Sequence, residues 1–498
     1  MDSPPLDPRR WRGLFVLLLG QFCALLDVSV TNVALPSIGR ATGAGPSELQ
    51  WIVSGYILAF ALMPVIAGRL GDTRGRRRMF FIGLTGFIIA SAAVGLSPVP
   101  LVMIAARVIQ GLFGGLLGPQ VSGYIQNAFP RSERGRAFSG LGITVGVGTA
   151  LGPVIGGLLI GLGGPEFGWR LVFFINVPIG LTAIILAKLW VAELKPVESA
   201  AELKLDLAGA VLLGLTLLCI LFPIVEINEF HNGWLFLLFV PGAFLLWAFL
   251  RRESRLTRDG GAPLLNLELF RVPTFTTGVF FAVVFFCSNT GIPLLLSLYY
   301  QDGLGFTALE SGLGVTAFAL GSVLGATVAG RLVSRVGRPL VVAAVSLFFL
   351  ATLSISLVIH LSAGITTPVE IILRLALPVF VLGVAGGSIV TPNQTLTLMD
   401  VDPRSGGTAG GVLQTAQRVG SATGQTVLGT LFFVTVAGYA VSTTEGTPAG
   451  DPSRFASGLD VGLVGSLVFS GAALVLGIVD LRRKRRARTA GAIDPSVP

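Results

Sequence analysis

One acid, Asp27, stands inside an otherwise apolar run from Gly13 to Pro36. On a helix it sits roughly 22 Å along the axis from Arg12, at about 1.5 Å per residue. If the run crosses a bilayer, that position is past the midplane. Low dielectric disfavours an ionised carboxylate, so such an acid can hold a proton near neutral pH or pair with a cation. A group that takes either, but not both at once, is the simplest exchange device. The alternative is an acid satisfied locally by Thr31, one turn away on the same face. Arg107 lies in another apolar run, about eight residues or roughly 12 Å from its outer end. The similar depths lead us to expect Arg107 against Asp27, with Gln110 one turn on extending the polar face.

Other chemistries find little footing. Cys23, Cys219 and Cys287 lie singly in apolar runs, with neither disulfide nor metal-ligand spacing. The two histidines, His231 and His360, fall near expected loops, so a histidine-based metal or nucleophile site is not expected. No GxxxxGK[ST] phosphate loop occurs, which argues against an ATP-driven machine. A membrane enzyme would need paired acids or a His–Asp constellation at an interface, and none is visible. We expect no catalytic residue, no metal and no cofactor.

The elements that must carry Asp27 and Arg107 are membrane helices. Hydrophobic residues make up 52% of the 498, and glycine brings the apolar share to about 65%, against about 45–50% in soluble chains. Charged residues are 12%, about half the usual quarter. A span needs about 20 mostly apolar residues. Such runs are centred near residues 25, 59, 88, 112, 148, 182, 217, 242, 286, 320, 350, 383, 422 and 469, fourteen in all. The first, preceded by Arg9, Arg10 and Arg12, is too long for a signal peptide and lacks a small-x-small site, so a retained span is expected.

An even count puts both termini on one side. With that side cytoplasmic, all but six of the 35 Lys and Arg fall in or beside inner segments, including TRGRRRM at 73–79, RSERGR at 131–136, RRESRLTR at 251–258 and RRKRRAR at 482–488. Arg40, Arg170 and Arg454 are outer, while Arg107, Arg374 and Arg418 are within spans. This positive-inside bias accounts for the net charge of +9 without a nucleic-acid partner. The basic tail is expected to lie near anionic lipid. Glu226 is expected at the interfacial outer end of span 7, and Glu370–Arg374 as a helix pair near the outer surface.

Two inner loops resemble each other. Ala67-Gly-Arg-Leu-Gly-Asp72-Thr-Arg-Gly75-Arg-Arg-Arg78 follows span 2, and Ala329-Gly-Arg-Leu-Val-Ser334-Arg-Val-Gly337-Arg338-Pro339 follows span 10. The offset is eight spans, so two six-helix halves must be separated by two extra helices, spans 7 and 8. The expected organisation is a six-helix bundle at 1–198, the insertion at 199–258, a second bundle at 259–481 and a basic tail at 482–498. Parallel repeats of this kind place a substrate site near the midplane, between the halves. In the first loop, Asp72 can dock on the start of span 13 near Ser405–Gly407, where exposed helix N–H groups favour an anion. That contact would latch the outward-open state, and the counterpart Ser334 makes the latch asymmetric. In span 5, Gly142 with Gly146, and Gly148 with Gly152 and Gly156, give a smooth strip for a close helix neighbour. Pro153 should bend that helix.

These segments carry a family resemblance. The Gly68–Arg78 loop resembles the signature loop of the major facilitator superfamily. Leu26-Asp27-Val-Ser-Val-Thr-Asn32-Val-Ala-Leu-Pro36 is similar to the first-helix motif of its 14-span drug/proton antiporter branch, and Arg107-Val-Ile-Gln110-Gly111 to the fourth-helix motif. Gly148-Thr-Ala-Leu-Gly152-Pro153-Val-Ile-Gly156-Gly157 resembles the fifth-helix antiporter motif. Trp169-Arg170 and Phe174-Ile-Asn176-Val-Pro178-Ile-Gly180 also fit that branch.

The resemblance implies an all-α, 14-span major facilitator fold in a cytoplasmic membrane, both termini inside, acting as a monomer. It implies export of small amphipathic molecules, cationic or neutral, in exchange for protons. Asp27 and Arg107 would couple the proton, and Gly68, Asp72, Gly75, Arg76 and Arg136 would form the cytoplasmic gate. A cavity wall is expected from Asn32, Trp51, Tyr56, Gln110, Phe281, Phe285, Tyr300, Asn393, Gln414 and Arg418. Some members of the branch carry a second membrane acid in span 10 that admits divalent cations, and residues 311–329 lack one. The same scaffold could instead export one endogenous metabolite, lipid or antibiotic, or work as an uncoupled uniporter.

Overall fold

In lipid a backbone must satisfy its own hydrogen bonds, so apolar runs of this length fold as helices. The computed structural model describes residues 7–191, 206–230, 233–362, 367–442 and 452–489, and it is built of helices. The expected boundary at 198/199, His231 and the last residues of the basic tail lie outside the described residues.

The first elements are α1 (Arg10–Thr42), α2 (Pro46–Leu62), α3 (Pro64–Arg74), α4 (Arg76–Leu96), α5 (Pro100–Gly115), α6 (Leu117–Ala128), α7 (Arg131–Phe174) and α8 (Asn176–Trp190). The expected insertion supplies α9 (Leu207–Phe230) and α10 (Phe239–Arg258). The remainder are α11 (Pro273–Asn289), α12 (Gly291–Leu298), α13 (Ala308–Val336), α14 (Arg338–Leu361), α15 (Pro368–Thr397), α16 (Gly406–Ser442) and α17 (Pro452–Thr489).

Among the described residues, twelve helices are long and apolar enough to cross a membrane. The pair α2 and α3, bent by 45° at Met63, passes the same test only when taken together, which would bring the number to thirteen if the pair is one span. The run near 148 is the first part of α7, where the side chains of residues 149, 150 and 153 lie outside the described set. α7 runs on through Pro153, and its break in helical geometry comes later, at Gly164 (φ 72°).

Two compact units divide the chain. The first comprises Met1–Ala137, Leu151–Thr276 and Thr397–Thr415. Its core packs Leu26, Val30, Ala34 and Ile38 of α1 with Ile52 of α2, Met103 and Ala106 of α5, and Trp169, Val172 and Phe173 of α7. α9 joins α2 through Phe222 against Trp51, ring centres 5.9 Å apart.

The second unit comprises Phe138–Ala150, Thr277–Leu396 and Ala416–Pro498. Phe285 packs on Phe281 and Phe348 at 6.1 and 5.3 Å. Gly321 and Gly325 of α13 face α15 carbonyls so closely that a methyl group would collide, and Gly383 and Gly387 of α15 reciprocate. Such close approach is how helices associate where the hydrophobic effect is absent.

The repeated loops share a device. α3 and α4 meet at Gly75 (φ 96°), and α13 and α14 meet at Gly337 (φ 67°). One residue reverses the chain, and it does so at a positive φ outside the left-handed helical well, where L side chains are strained by roughly 1–3 kcal/mol. Gly75→Ala and Gly337→Ala should each lower stability by about that amount, read as the unfolding midpoint in detergent. Gly214→Ala, in α9 with open space at its α-carbon, should cause no loss.

Candidate functional site

Asp27 is completely buried. Its carboxylate accepts hydrogen bonds from Arg107 Nη1, from Gln110 Nε2 at 2.9 Å and from Asn176 Nδ2 at 2.8 Å. Arg107 is held in turn. Its Nε donates to the Ile52 carbonyl at 2.9 Å and its Nη1 to Gln110 Oε1 at 2.9 Å. Its guanidinium lies 4.1 Å from the centre of the Tyr56 ring, a cation–π contact strengthened by desolvation. The Tyr56 hydroxyl donates to the Ala24 carbonyl at 3.1 Å. Asn176 Nδ2 also reaches Ser91 Oγ at 3.0 Å, and that hydroxyl donates to the Phe173 carbonyl at 2.9 Å. One carboxylate thus ties α1 to α2, α4, α5 and α8.

Thr31 does not satisfy the acid. Its hydroxyl donates to the main-chain carbonyl of Asp27 at 2.6 Å, leaving the carboxylate to other helices. Asn176 was not among the expected site residues, although the Phe174–Gly180 motif contains it. Its Oδ1 is buried without a partner.

The expected cavity residues separate. Tyr56 and Gln110 belong to the Asp27 cluster. Asn32 is exposed and opens on a cleft of about 410 Å³ lined also by Leu35, Gln50, Val53, Ser54 and Val225, while Trp51 is half-buried beside Phe222. Phe281 and Phe285 are buried in the second unit's packing. Tyr300, also buried, stacks on Phe306 at 5.7 Å. Asn393 donates to the Gly278 carbonyl at 3.1 Å, and Gln414 to Ser122 Oγ at 3.3 Å. Arg418 is half-buried.

At the signature loop, Asp72 accepts from the amides of Gly407 and Thr408 at 3.0 and 2.8 Å and from the Thr408 hydroxyl at 2.8 Å. These are the first turn of α16. Arg76 bridges Asp72 and the Pro403 carbonyl at 2.5 and 3.2 Å. A methyl on Gly68 would run into the Gly407 carbonyl. Arg136 is exposed; the buried arginine of that segment is Arg134, which donates to the carbonyls of Phe129 and Gln126 at 3.2 and 2.7 Å. Nothing in the spacing distinguishes the two.

The glycine strip of α7 meets different partners along its length. Gly142 and Gly146 lie against Ala326 and Val323 of α13, whereas Gly152 and Gly156 lie against Ser29, Val30 and Val33 of α1. Gly148 is buried, Gly157 faces open space, and the Pro153 ring lies outside the described side chains. Glu226 is fully buried.

Removing Arg107 would strand a buried carboxylate, which costs about 3–5 kcal/mol. Arg107→Ala should therefore lower the unfolding midpoint sharply. Asp27→Asn combined with Arg107→Ala should lose less than the two single changes together, a coupling that a double-mutant cycle measures directly.

Residues 17–425 match the family model of the Major Facilitator Superfamily. The chain is 39% identical over 436 residues to the probable actinorhodin transporter of Streptomyces coelicolor, covering 86% of this chain and 74% of that one. It is 33% identical over 434 residues to the tetracenomycin C resistance and export protein of Streptomyces glaucescens, covering 86% and 76%. The puromycin resistance protein of Streptomyces alboniger is 30% identical over 504 aligned positions, covering 99% and 96%. The crystal structure of the human organic anion transporter MFSD10 is similar with a TM-score of 0.61, covering 95% of this chain and 100% of that one at 17% identity, a likeness of fold. The chain belongs to the major facilitator superfamily and is a multi-pass membrane transporter rather than an enzyme.

Proposed function

We propose that the protein is a proton-coupled antiporter that exports small amphipathic molecules, cationic or neutral, by alternating access. On this reading it is a 14-span member of the drug/proton antiporter branch, with residues 1–198 and 259–481 as the two bundles and 199–258 as the insertion. It acts as a monomer in the cytoplasmic membrane, with both termini and the basic tail on the inner side.

The observation that carries the reading is the wholly buried Asp27, held by a cation and two amides. An intramembrane carboxylate so placed is functional by default. A proton on Asp27 cancels its negative charge and loosens its hold on Arg107. The gain or loss of one charge then rearranges donors from several helices together. Asp72 on the start of α16 latches the cytoplasmic end while the outer end is open. The driving force is sufficient: one charge moved through 100 mV is worth about 2.3 kcal/mol, and each pH unit about 1.4 kcal/mol.

A narrower reading is a dedicated exporter of one compound. It is favoured by relatives that are named for single antibiotics, actinorhodin, tetracenomycin C and puromycin.

The test is reconstitution in vesicles with an imposed pH gradient and a panel of cationic, neutral and anionic compounds. Wild-type protein should exchange protons for several members of the panel, and Asp27→Asn should fall to background while remaining folded. Wild-type rates in Asp27→Asn would overturn the coupling. Efflux of one compound alone would select the dedicated exporter.

A further inference from the structure

The inserted helix pair α9 and α10 has no role in the chemistry described so far, yet it carries a buried acid of its own. Glu253 lies in the last turns of α10 and is fully buried. The chain after α10 turns at Gly260 (φ 68°) and folds back, so that the Leu265 amide donates to Glu253 Oε2 at 2.9 Å. The other oxygen, Oε1, is buried without any hydrogen-bond partner.

Its neighbours are charged. Asp206, just before α9, accepts from the Gly209 amide at 2.9 Å and from Arg252 Nη2 at 2.8 Å. Burial alone would raise the Asp206 carboxyl, but the Arg252 guanidinium and the amides at the helix start hold it below the ordinary carboxylate value. Asp206 is therefore an anion. Its Oδ2 and Glu253 Oε1 both press on the same face of Gly209. From α3, Arg69 lies within electrostatic reach of Glu253 and of Asp72. The groups that face Glu253 are thus an anion at the start of α9, its own neighbour Arg252, the Leu265 amide and the Arg69 cation of the signature loop.

We propose that Glu253 is a proton-binding site in the inserted hairpin, separate from Asp27, and that its charge state sets how strongly the hairpin holds Arg69 of the signature loop. Oε1 has no donor to stabilise a full negative charge and has an anion beside it. A proton on Oε1 removes both defects. Ionised, Glu253 attracts Arg69, one turn from the Asp72 latch; protonated, it releases that cation. The insertion thereby gives transport a dependence on cytoplasmic pH. This inference stands whether or not export is driven by protons.

The test uses the full-length chain carrying Asp27→Asn, so that a signal from Asp27 is absent. Infrared difference spectra over a pH series should show a protonated-carboxyl band that disappears in Glu253→Gln. A neighbouring charge moves such a titration by about one pH unit or more. The band should titrate at lower pH in Asp206→Asn, where the anion is gone, and at higher pH in Arg252→Gln, where the cation is gone. If Glu253→Gln is not recovered folded, these opposite shifts decide the matter. A band unchanged by Glu253→Gln, or shifts absent or of one sign in the two neighbour variants, would overturn the site. In vesicles of the otherwise wild-type protein, Glu253→Gln should flatten the dependence of efflux on internal pH. An unchanged internal-pH profile would overturn the link to the signature loop.

Discussion

A charge taken out of water must be balanced where it lies, and the first unit is organised around one such balance. The Asp27 carboxylate spends its lone pairs on Arg107, Gln110 and Asn176. Arg107 spends its remaining reach on the Ile52 carbonyl and the Tyr56 ring. The penalty for leaving any member unmatched is several kcal/mol, far more than a packing contact contributes. The apolar core of α1, α2, α5 and α7 therefore closes around a polar centre that permits little slack. On the antiporter reading this explains how a proton can be felt by helices.

The repeated loops show how far two copies of one device can drift. Gly75 and Gly337 both reverse the chain at positive φ, each as a one-residue link between two helices. The charges that follow have parted. Arg76 pairs with Asp72, four residues back. At the matching position Ser334 offers no charge, and Arg338 pairs with Asp480 of α17 at 2.8 Å. The first copy can thus offer a carboxylate to the N–H groups of α16, while the second uses its arginine to brace its own unit.

What was legible in the sequence follows the same physics. Asp27 and Arg107 could be read because charges are rare inside apolar runs and helix rise converts residue number into depth. The Asp72 contact with α16 could be read because a helix start is an anion site wherever the chain brings one. Asn176 and the burial of Glu226 could not be. A neutral amide in an apolar stretch shows no role until its neighbours are known, and Glu226 is buried although it lies near the end of its helix. Which of the aromatic residues pack was not legible for a related reason. Aromatic side chains in a membrane helix pack or line a space equally well, and Phe281, Phe285 and Tyr300 pack. The expected span near residue 148 is the first part of α7, some of whose side chains lie outside the described set.

Three acids of the first unit, Asp27, Asp72 and Glu253, mark out a graded scale of support. Asp27 has a cation and two amide side chains; Asp72 has two helix amides, a hydroxyl and Arg76. Glu253 has one amide, an anionic neighbour and an empty oxygen. A carboxylate with several donors holds its surroundings in place by remaining charged, and it must break those bonds to do anything else. One with a single donor can change its charge while its surroundings stay where they are. The first kind suits a centre whose protonation is tied to a change of shape. The second suits a sensor that alters the electrostatic field on a neighbouring cation. On the proposed readings, that division of labour places the sensor in α10 and leaves the coupled change to the helices gathered at Asp27.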